Sequence, residues 1–435
     1  MRDDGSPEAA FEGGTGFDEQ GPPAPAGAGG AVGDDLLSAA HLAAPHELPA
    51  LIRRHAAGLG AQDAQVYLAD LQQLVLVPFV GSSNPPPGTQ LGPLPIDSTI
   101  AGRAFQHLEA LTQHGHLGAA RVWLPLLDGT DRLGVLGVTL PDPPEPDAGT
   151  EPPGPRLRRF ASLIAELIVS KSLYGDVIVC TRRQAELSLA AEIQWNLLPP
   201  LTFSCRQAVV AAALEPAYAV AGDSMDYTVD DGYVRFAVFD GMGHGLHSAQ
   251  LTTLTVSAYR NARRHGRPLT ETAHVIDEAV GQIHGGEAFT TALLAELNTD
   301  TGWLNWVNAG HPEPLLLRGG RLVRTLHVDP GRPFGLGPAV GPAVYAVGAE
   351  HLQPGDQVLL YTDGVTEARS PDGEFFGIGR LVDLITRHTA GGLPAAERMR
   401  RVVRSLLAHE QGQLSDDATL MLVEYRSGNQ PRLLP

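Results

Sequence analysis

Several aspartates in this chain stand where an apolar run gives way to a turn. The sharpest is Asp240, which follows the run Val234 to Phe239, broken only by Arg235, and precedes glycines at 241, 243 and 245. The β-branched and aromatic content of that run predicts a strand, the glycines a sharp turn, and Leu246 to Arg264 a helix. Asp240 would then sit at a strand terminus with little bulk around it, where a metal ion or a phosphate could be held. A glycine turn with a capping aspartate, or a nucleotide-binding loop at Gly241-x-Gly243-x-Gly245, would account for the same residues. Three further segments repeat the theme. Tyr218 to Ala221 leads into Gly222-Asp223-Ser224-Met225-Asp226, the run from Gln357 to Thr362 leads into Asp363-Gly364-Val-Thr-Glu367, and Ser415-Asp416-Asp417-Ala418-Thr419 opens the apolar stretch Leu420 to Tyr425.

One Asp-Gly after a strand is a turn. Several of them, far apart in sequence and each at a strand terminus, suggest strand ends that converge. Clustered carboxylates repel one another and rise in pKa unless cations neutralise them. Oxygen donors with no histidine or cysteine requirement favour Mg²⁺ or Mn²⁺ over zinc. Two such ions would bridge a water, lower its pKa and clamp a phosphoryl oxygen, which is the chemistry of phosphate-ester hydrolysis without a covalent intermediate. Asp226, Glu367 and Asp417 could orient waters or ligands around such a site, and a role as turn or capping acids explains them equally well. His244 and His247 lack a third nitrogen or sulfur ligand nearby, so loop packing or the site rim suits them better than zinc. His311, in Asn308-Ala-Gly-His311-Pro312, fits an acid, a substrate contact or a turn former. Arg260, Arg263 and Arg264 could attract a phosphoprotein, but an exposed helix face explains them more simply.

The elements that must position these residues fill a chain of 435 residues, too long for one ordinary core. Residues 1–34 are rich in Gly, Pro, Ala and acid and predict a disordered tail. From 35 to 170 the pattern predicts an α+β module of sensor size. Leu48, Leu51, Ile52 and Leu59 share a helical face, strands follow at 64–68 and 74–80, a short helix at 97–106, and strands at 121–127 and 133–140 flank the Asp128-Gly129 turn. A helical stretch begins at Arg156. Leu157 to Leu198 carries apolar residues at 160, 164, 167 and 168 and again at Leu187, Leu189, Ile193 and Leu197, and reads as one or two connecting helices, with 171–200 as the connecting segment that stops at Pro199-Pro200. The two series could pair two chains as a short coiled coil.

Composition narrows the function. The hydrophobic share of 43% is globular, and 49 acidic against 31 basic residues give a formal charge of -18, which argues against nucleic-acid binding through a basic surface. Lys171 is the one lysine, so no Gly-Lys-Ser/Thr phosphate loop exists and a P-loop enzyme is excluded. Cys180 and Cys205 form no Cys-x-x-Cys pair and read as reduced residues. With no signal-like segment and no apolar run of membrane-spanning length, a cytoplasmic protein without a membrane span is expected.

Gly222-Asp223, Asp240-Gly-Met-Gly-His-Gly245, Asn308-Ala-Gly-His-Pro312, Tyr361-Thr-Asp-Gly-Val-Thr-Glu367 and Ser415-Asp-Asp-Ala-Thr419 occur in the order of the metal-dependent protein phosphatase 2C superfamily. The set resembles its bacterial SpoIIE/RsbU-like serine phosphatase branch over roughly Leu189 to Tyr425. Glu192 to Pro200 is similar to that branch's opening helix. The element order of the first half, with the run Arg132 to Val138, resembles a GAF domain, a sensor of small ligands or partner proteins. The resemblance implies an α-β-β-α sandwich of two antiparallel sheets flanked by helices at residues 201–427, followed by a short tail at 428–435. It implies two Mn²⁺ or Mg²⁺ ions held by Asp223, Asp240, Asp363, Asp416 and the Gly241 carbonyl, with Asp240 and Asp363 acting through a metal-bridging water. It further implies hydrolysis of phosphoserine or phosphothreonine on a regulatory protein of the anti-sigma factor antagonist type, under control of the GAF-like domain. The chain departs from the family at Ala221 and Met225, where Gly-Gly-Asp and a following aromatic are usual. The alternative is a signalling scaffold of the same fold that binds a regulator without hydrolysis, which the presence of all four acids disfavours.

Overall fold

A computed structural model describes residues 28–81, 91–114, 119–141, 153–337, 343–412 and 414–426. The tail expected at 1–34 lies outside the described residues up to 27, and the tail at 428–435 lies outside them altogether. The last residues of the expected N-terminal tail are helical, in α1 (Ala28–His41). Leu36 and Ala40, one turn apart, are fully buried in the first core, so packing holds a segment whose Gly/Ala-rich composition gave no amphipathic signal.

The first unit continues with α2 (Leu48–Ala57), β1 (Asp63–Ala69), β2 (Val75–Pro78), β3 (Leu94–Pro95), α3 (Ile100–His107), β4 (Leu111–His114), β5 (Ala119–Asp128), β6 (Asp131–Pro141) and α4 (Pro153–Ser172). Its six strands form an antiparallel sheet in the order β3-β2-β1-β6-β5-β4. Strand alternation splits the apolar residues between two faces. Val66, Leu68, Leu124 and Leu136 meet α1, α2 and α4, while Tyr67, Trp123 and Val135 meet Phe105 of α3.

The stretch 171–200 is not one helix. It holds the end of α4, the short α5 (Val177–Arg182) and α6 (Leu189–Leu197). Arg183 leaves α5 in an extended conformation, and α6 starts afresh where the Ser188 hydroxyl accepts from the Ala191 amide at 3.0 Å. Of the two apolar series, Phe160, Ile164, Leu167 and Ile168 are buried in the chain's own core, whereas Leu189 of the second series is exposed.

The second unit runs through β7 (Thr202–Ser204), β8 (Ala208–Glu215), β9 (Asp223–Asp230), β10 (Tyr233–Gly241), α7 (Leu246–Arg264), α8 (Leu269–His284), β11 (Thr290–Asn298), β12 (Trp303–Ala309), β13 (Leu315–Arg318), β14 (Arg321–Thr325), β15 (Gly348–His351), β16 (Asp356–Tyr361), α9 (Asp363–Thr366), α10 (Gly377–Ala390), α11 (Ala395–His409) and β17 (Ala418–Tyr425). Two antiparallel sheets, β15-β12-β11-β10-β9 and β14-β13-β16-β17-β8-β7, face each other. Phe236, Val238, Leu293, Trp306, Leu360, Met421 and Val423 fill the space between them. Helices α7 and α8 cover the first sheet through Val256, Tyr259 and Ile276, and α10 and α11 cover the second through Leu381, Ile385, Val402 and Leu406. The result is four layers, helix, sheet, sheet, helix.

The two units meet through buried charge. Glu397 of α11, fully buried, pairs with Arg132 of β6 at 2.8 Å, and Arg400 and Arg401 each reach it at 2.9 Å. Arg400 and Arg404 also pair with Asp97 of the first unit, Arg132 donates to Gln73 at 2.6 Å, and its guanidinium lies 4.5 Å from the centre of the Phe105 ring.

Candidate metal centre

Strand alternation aims the acids. Phe236 and Val238 of β10 face the space between the sheets, so Asp240, two residues on, points to the open end of the same space. Asp223 pairs directly with Asp240 across the β9–β10 ladder and shares a pleat with the buried Met225. From the other sheet, Val358 and Leu360 face inward, which puts Thr362 on that pleat with Asp363 next in the chain. Met421 and Val423 do the same for β17, whose preceding turn carries Asp416 and Asp417. Four segments separated by up to 195 residues thus end at one mouth of the sandwich.

Two local expectations change. Tyr218 to Ala221 is a turn, with the Ala219 and Val220 amides bonded to the Pro216 carbonyl, so Asp223 opens a strand instead of closing one. Asp363-Gly364 begins the short helix α9, whose Glu367 amide bonds the Asp363 carbonyl at 2.7 Å.

The electrostatics of the cluster are one-sided. Asp240 is pushed up to about 7, by burial first and then by the charges of Asp363 and Asp416. Asp223 is raised well above the usual carboxylate range by burial and by Asp240 and Asp417. Asp363 is raised by burial, Asp416 and Glu367, and Asp417 chiefly by burial. The hydrogen-bond donors that reach these carboxylates are hydroxyls and amides. The Thr362 hydroxyl gives Asp223 a bond of 2.7 Å, the Thr291 hydroxyl oxygen lies 3.3 Å from an Asp240 oxygen, and the amides of Ala221, Gly222 and Asp223 bond one oxygen of Asp417 at 2.9, 2.7 and 3.3 Å. A set of oxygen donors in mutual repulsion fits a hard divalent cation. Among the described residues no three His, Cys, Asp or Glu side chains already converge as a closed metal shell.

Asp226 is not part of this cluster. It lies on the opposite pleat of β9, buried, and pairs with Arg260 at 2.8 Å and Arg263 at 2.9 Å. Those two arginines tie α7 to the sheet, and Arg260 also holds the Leu197 carbonyl at 2.7 Å, which corrects both the exposed-face reading of the pair and the place of Asp226 near the ions. Glu367 is exposed at the end of α9 and touches the site only through its charge on Asp363. His244 and His247 are exposed on the rim. His311 is buried, with its main chain clasped by Asn308 through two bonds of 2.8 Å. Burial lowers its pKa to about 4, and in the neutral ring Nε2–H donates to the Tyr361 carbonyl at 3.1 Å while Nδ1 accepts the Thr291 hydroxyl hydrogen at 2.9 Å, which fixes the Thr291 side chain beside Asp240.

The glycines have reasons that the sequence did not separate. A Cβ on Gly241 would come within 2.4 Å of the Thr252 hydroxyl of α7, and one on Gly222 within 2.7 Å of the Gly241 carbonyl. Gly243 and Gly245 have open space around them but adopt φ of +91° and +73°, which side chains disfavour. The Gly241 carbonyl accepts from the Ser248 hydroxyl at 2.8 Å, which fixes its direction. Thr362 stood in view beside Asp363 in the sequence. Thr291 carries no motif, and only its register opposite Asp240 brings it to the site.

Residues 230–426 match the family model described as Stage II sporulation protein E (SpoIIE), a span that includes Asp240, Asp363 and Asp416 and begins after Asp223. The chain is similar to Protein IcfG of Synechocystis sp., 26% identical over 288 residues that cover 59% of this chain and 44% of that protein. It is also similar to the phosphoserine phosphatase RsbU of Bacillus subtilis, 26% identical over 241 residues that cover 55% of this chain and 70% of that one. Thus the chain spans under half the length of one of these curated relatives. Among solved structures it is similar to the SiaA-PP2C domain of Pseudomonas aeruginosa, with 22% identity, coverage of 54% of this chain and 94% of that one, and a TM-score of 0.46.

Proposed function

We propose that this chain is a metal-dependent protein serine/threonine phosphatase whose second unit, residues 201–427, hydrolyses phosphoserine or phosphothreonine on a regulatory protein. The observation that carries the reading is the convergence of Asp223, Asp240, Asp363 and Asp416 at one mouth of the sandwich, with hydroxyl and amide donors around them and Asp240 pushed up to about 7. Carboxylates held together in this way favour divalent cations as their natural partners. Asp223, Asp240, Asp363, Asp416 and the Gly241 carbonyl would hold two Mn²⁺ or Mg²⁺ ions, which supply an activated water and positive charge for the phosphoryl oxygens. The chain's own part is positional. Thr362 orients the Asp223 carboxylate, Ser248 orients the Gly241 carbonyl, and Thr291, held by a neutral His311, borders Asp240.

The relative named as a phosphoserine phosphatase supports a phosphoserine protein as substrate, and the resemblance in the sequence motifs extends the proposal to a regulatory protein of the anti-sigma factor antagonist type. The first unit, residues 35–170, is assigned as a GAF-like regulator that binds a small ligand or partner protein, and its buried contact with α11 supports a mechanical link to the catalytic unit. No helix among the described residues is long and apolar enough to cross a membrane, and a cytoplasmic site of action suits this substrate class. The alternative is a signalling scaffold of the same fold that binds a regulator without hydrolysis, and the presence of all four acids at the mouth disfavours it.

Release of phosphate from a phosphoserine peptide, measured with Mn²⁺ and with chelator, tests both readings. A phosphatase hydrolyses only with the ion, and Asp240→Ala or Asp363→Ala abolishes turnover while the protein still melts cooperatively. Binding of the phosphoprotein without phosphate release would select the scaffold.

A further inference from the structure

We infer that Thr362 and Asp417 are positioning residues that brace the proposed metal centre before any ion arrives, because each is the chain neighbour of one ligand acid and the hydrogen-bond partner of another. This rests on the phosphatase reading and adds to it the parts that hold the acids in place.

The Thr362 hydroxyl makes two bonds whose directions are fixed. Its oxygen accepts from the Thr419 amide at 2.9 Å, so its single hydrogen is free to go to the Asp223 carboxylate at 2.7 Å. Thr362 and Asp223 are both buried, so no water substitutes for that donor. Thr362 is joined to Asp363 by one peptide bond. The strand end that supplies one acid therefore also aims another from the facing sheet.

Asp417 does the complementary task on the main chain. One of its carboxylate oxygens gathers the three consecutive amides of Ala221, Gly222 and Asp223, which fixes the path of the backbone into β9. Its own amide bonds the Asp416 carboxylate at 2.9 Å. The start of α9 is pressed against the same turn, since a Cβ on Gly364 would lie 2.0 Å from the Asp417 carbonyl oxygen. Asp223 is thus held twice, by the neighbour of Asp363 and by the neighbour of Asp416. Three acids that repel one another are kept together by bonds that do not involve the ions.

Partners of this kind around metal ligands typically change affinity about 10- to 100-fold when removed. The test uses the full chain and direct calorimetric titration with Mn²⁺ in the absence of substrate, alongside phosphate release and thermal melting. Thr362→Val keeps shape and removes both the donor to Asp223 and the acceptor of the Thr419 amide. It is expected to weaken Mn²⁺ binding by about 10- to 100-fold, to lower the melting temperature of the metal-free protein while the melt stays cooperative, because the buried Thr419 amide loses its acceptor, and to recover turnover at high Mn²⁺. Thr362→Ser restores the hydroxyl and is expected to return affinity to within about threefold of wild type, on the same range. Asp417→Asn keeps an acceptor oxygen for the three amides and is expected to bind Mn²⁺ more tightly than Asp417→Ala. Wild-type Mn²⁺ affinity in Thr362→Val would overturn the bracing and leave the phosphatase reading standing. A wild-type protein that neither binds Mn²⁺ nor releases phosphate would overturn both.

Discussion

Glu397 and Asp240 are both acids withdrawn from water, and their surroundings move them in opposite directions. Burial alone would raise Glu397, but its hydrogen bond with Arg400 and the charges of Arg132 and Arg400 bring it down to about 2. Asp240 has burial and like charges acting together and rises to about 7. The fold therefore has the means to neutralise an acid where two units must adhere, and it supplies arginines from both sides to do so. Within the second unit Asp226 is likewise buried and ion-paired with two arginines, Arg260 and Arg263. At the sandwich mouth the groups around Asp223, Asp240 and Asp417 are uncharged hydroxyls and amides, and in the proposed function a divalent cation would complete the balance. The contrast teaches that a buried acid by itself is weak evidence of function, and that its partners decide.

The largest expected effect tests the paired side. Glu397→Ala leaves Arg132 and Arg400 buried without their shared carboxylate, which costs about 3–5 kcal/mol in such cases, and chemical denaturation should show that loss. Arg132→Met removes one of three arginines and fills the space with apolar volume. A smaller loss, about 1–3 kcal/mol, is expected for the hydrogen bonds to charged groups that go with it.

Asp240→Asn should act with the opposite sign. It relieves repulsion among the acids, so the chelator-treated variant should unfold at or above the wild-type denaturant midpoint, while its stabilisation by Mn²⁺ shrinks. A midpoint well below wild type would mean that Asp240 is a structural acid like Glu397, and the comparison would break.

The smallest effects are in pH. A carboxylate whose folded pKa is depressed stabilises the protein above its unfolded pKa and loses that contribution as pH falls, so the Glu397 contribution declines from about pH 4.5 toward 2. For Asp240 the folded pKa is raised, so the native state binds more protons than the unfolded state between about 4 and 7, and stability declines as pH rises through that window. Mn²⁺ opposes this decline. The upward shift in melting temperature on adding Mn²⁺ should therefore be larger at pH 8 than at pH 5, and an equal shift at both would contradict the raised state of the acids.

Much of the second unit was legible because its signals are local. The apolar runs behind Asp240 and Asp363 and ahead of Asp416 became β10, β16 and β17, and α7 spans Leu246 to Arg264 as its pattern predicts. Strand termini rich in glycine mark such sites in sequence because few residues other than Gly tolerate the φ of Gly243 and Gly245. What was not legible depends on pairing between distant segments. Thr291 matters because of its register with Asp240, Asp226 leaves the site because two arginines a helix away claim it, and Glu397 meets Arg132 across 265 positions. The place of the break between α4 and α6 was not legible because helical periodicity continues on both sides of a short extended segment. Asp417 carried its motif, but its three amide contacts exist only once the sheets have closed.

The most direct test of the central claim is phosphate release from a phosphoserine protein by the full chain, measured in parallel for wild type and Asp240→Ala with Mn²⁺ and with chelator. The account predicts turnover for wild type with Mn²⁺ alone, and none for the variant despite a cooperative melt. Full turnover by Asp240→Ala with Mn²⁺, or by wild type in chelator, would contradict it.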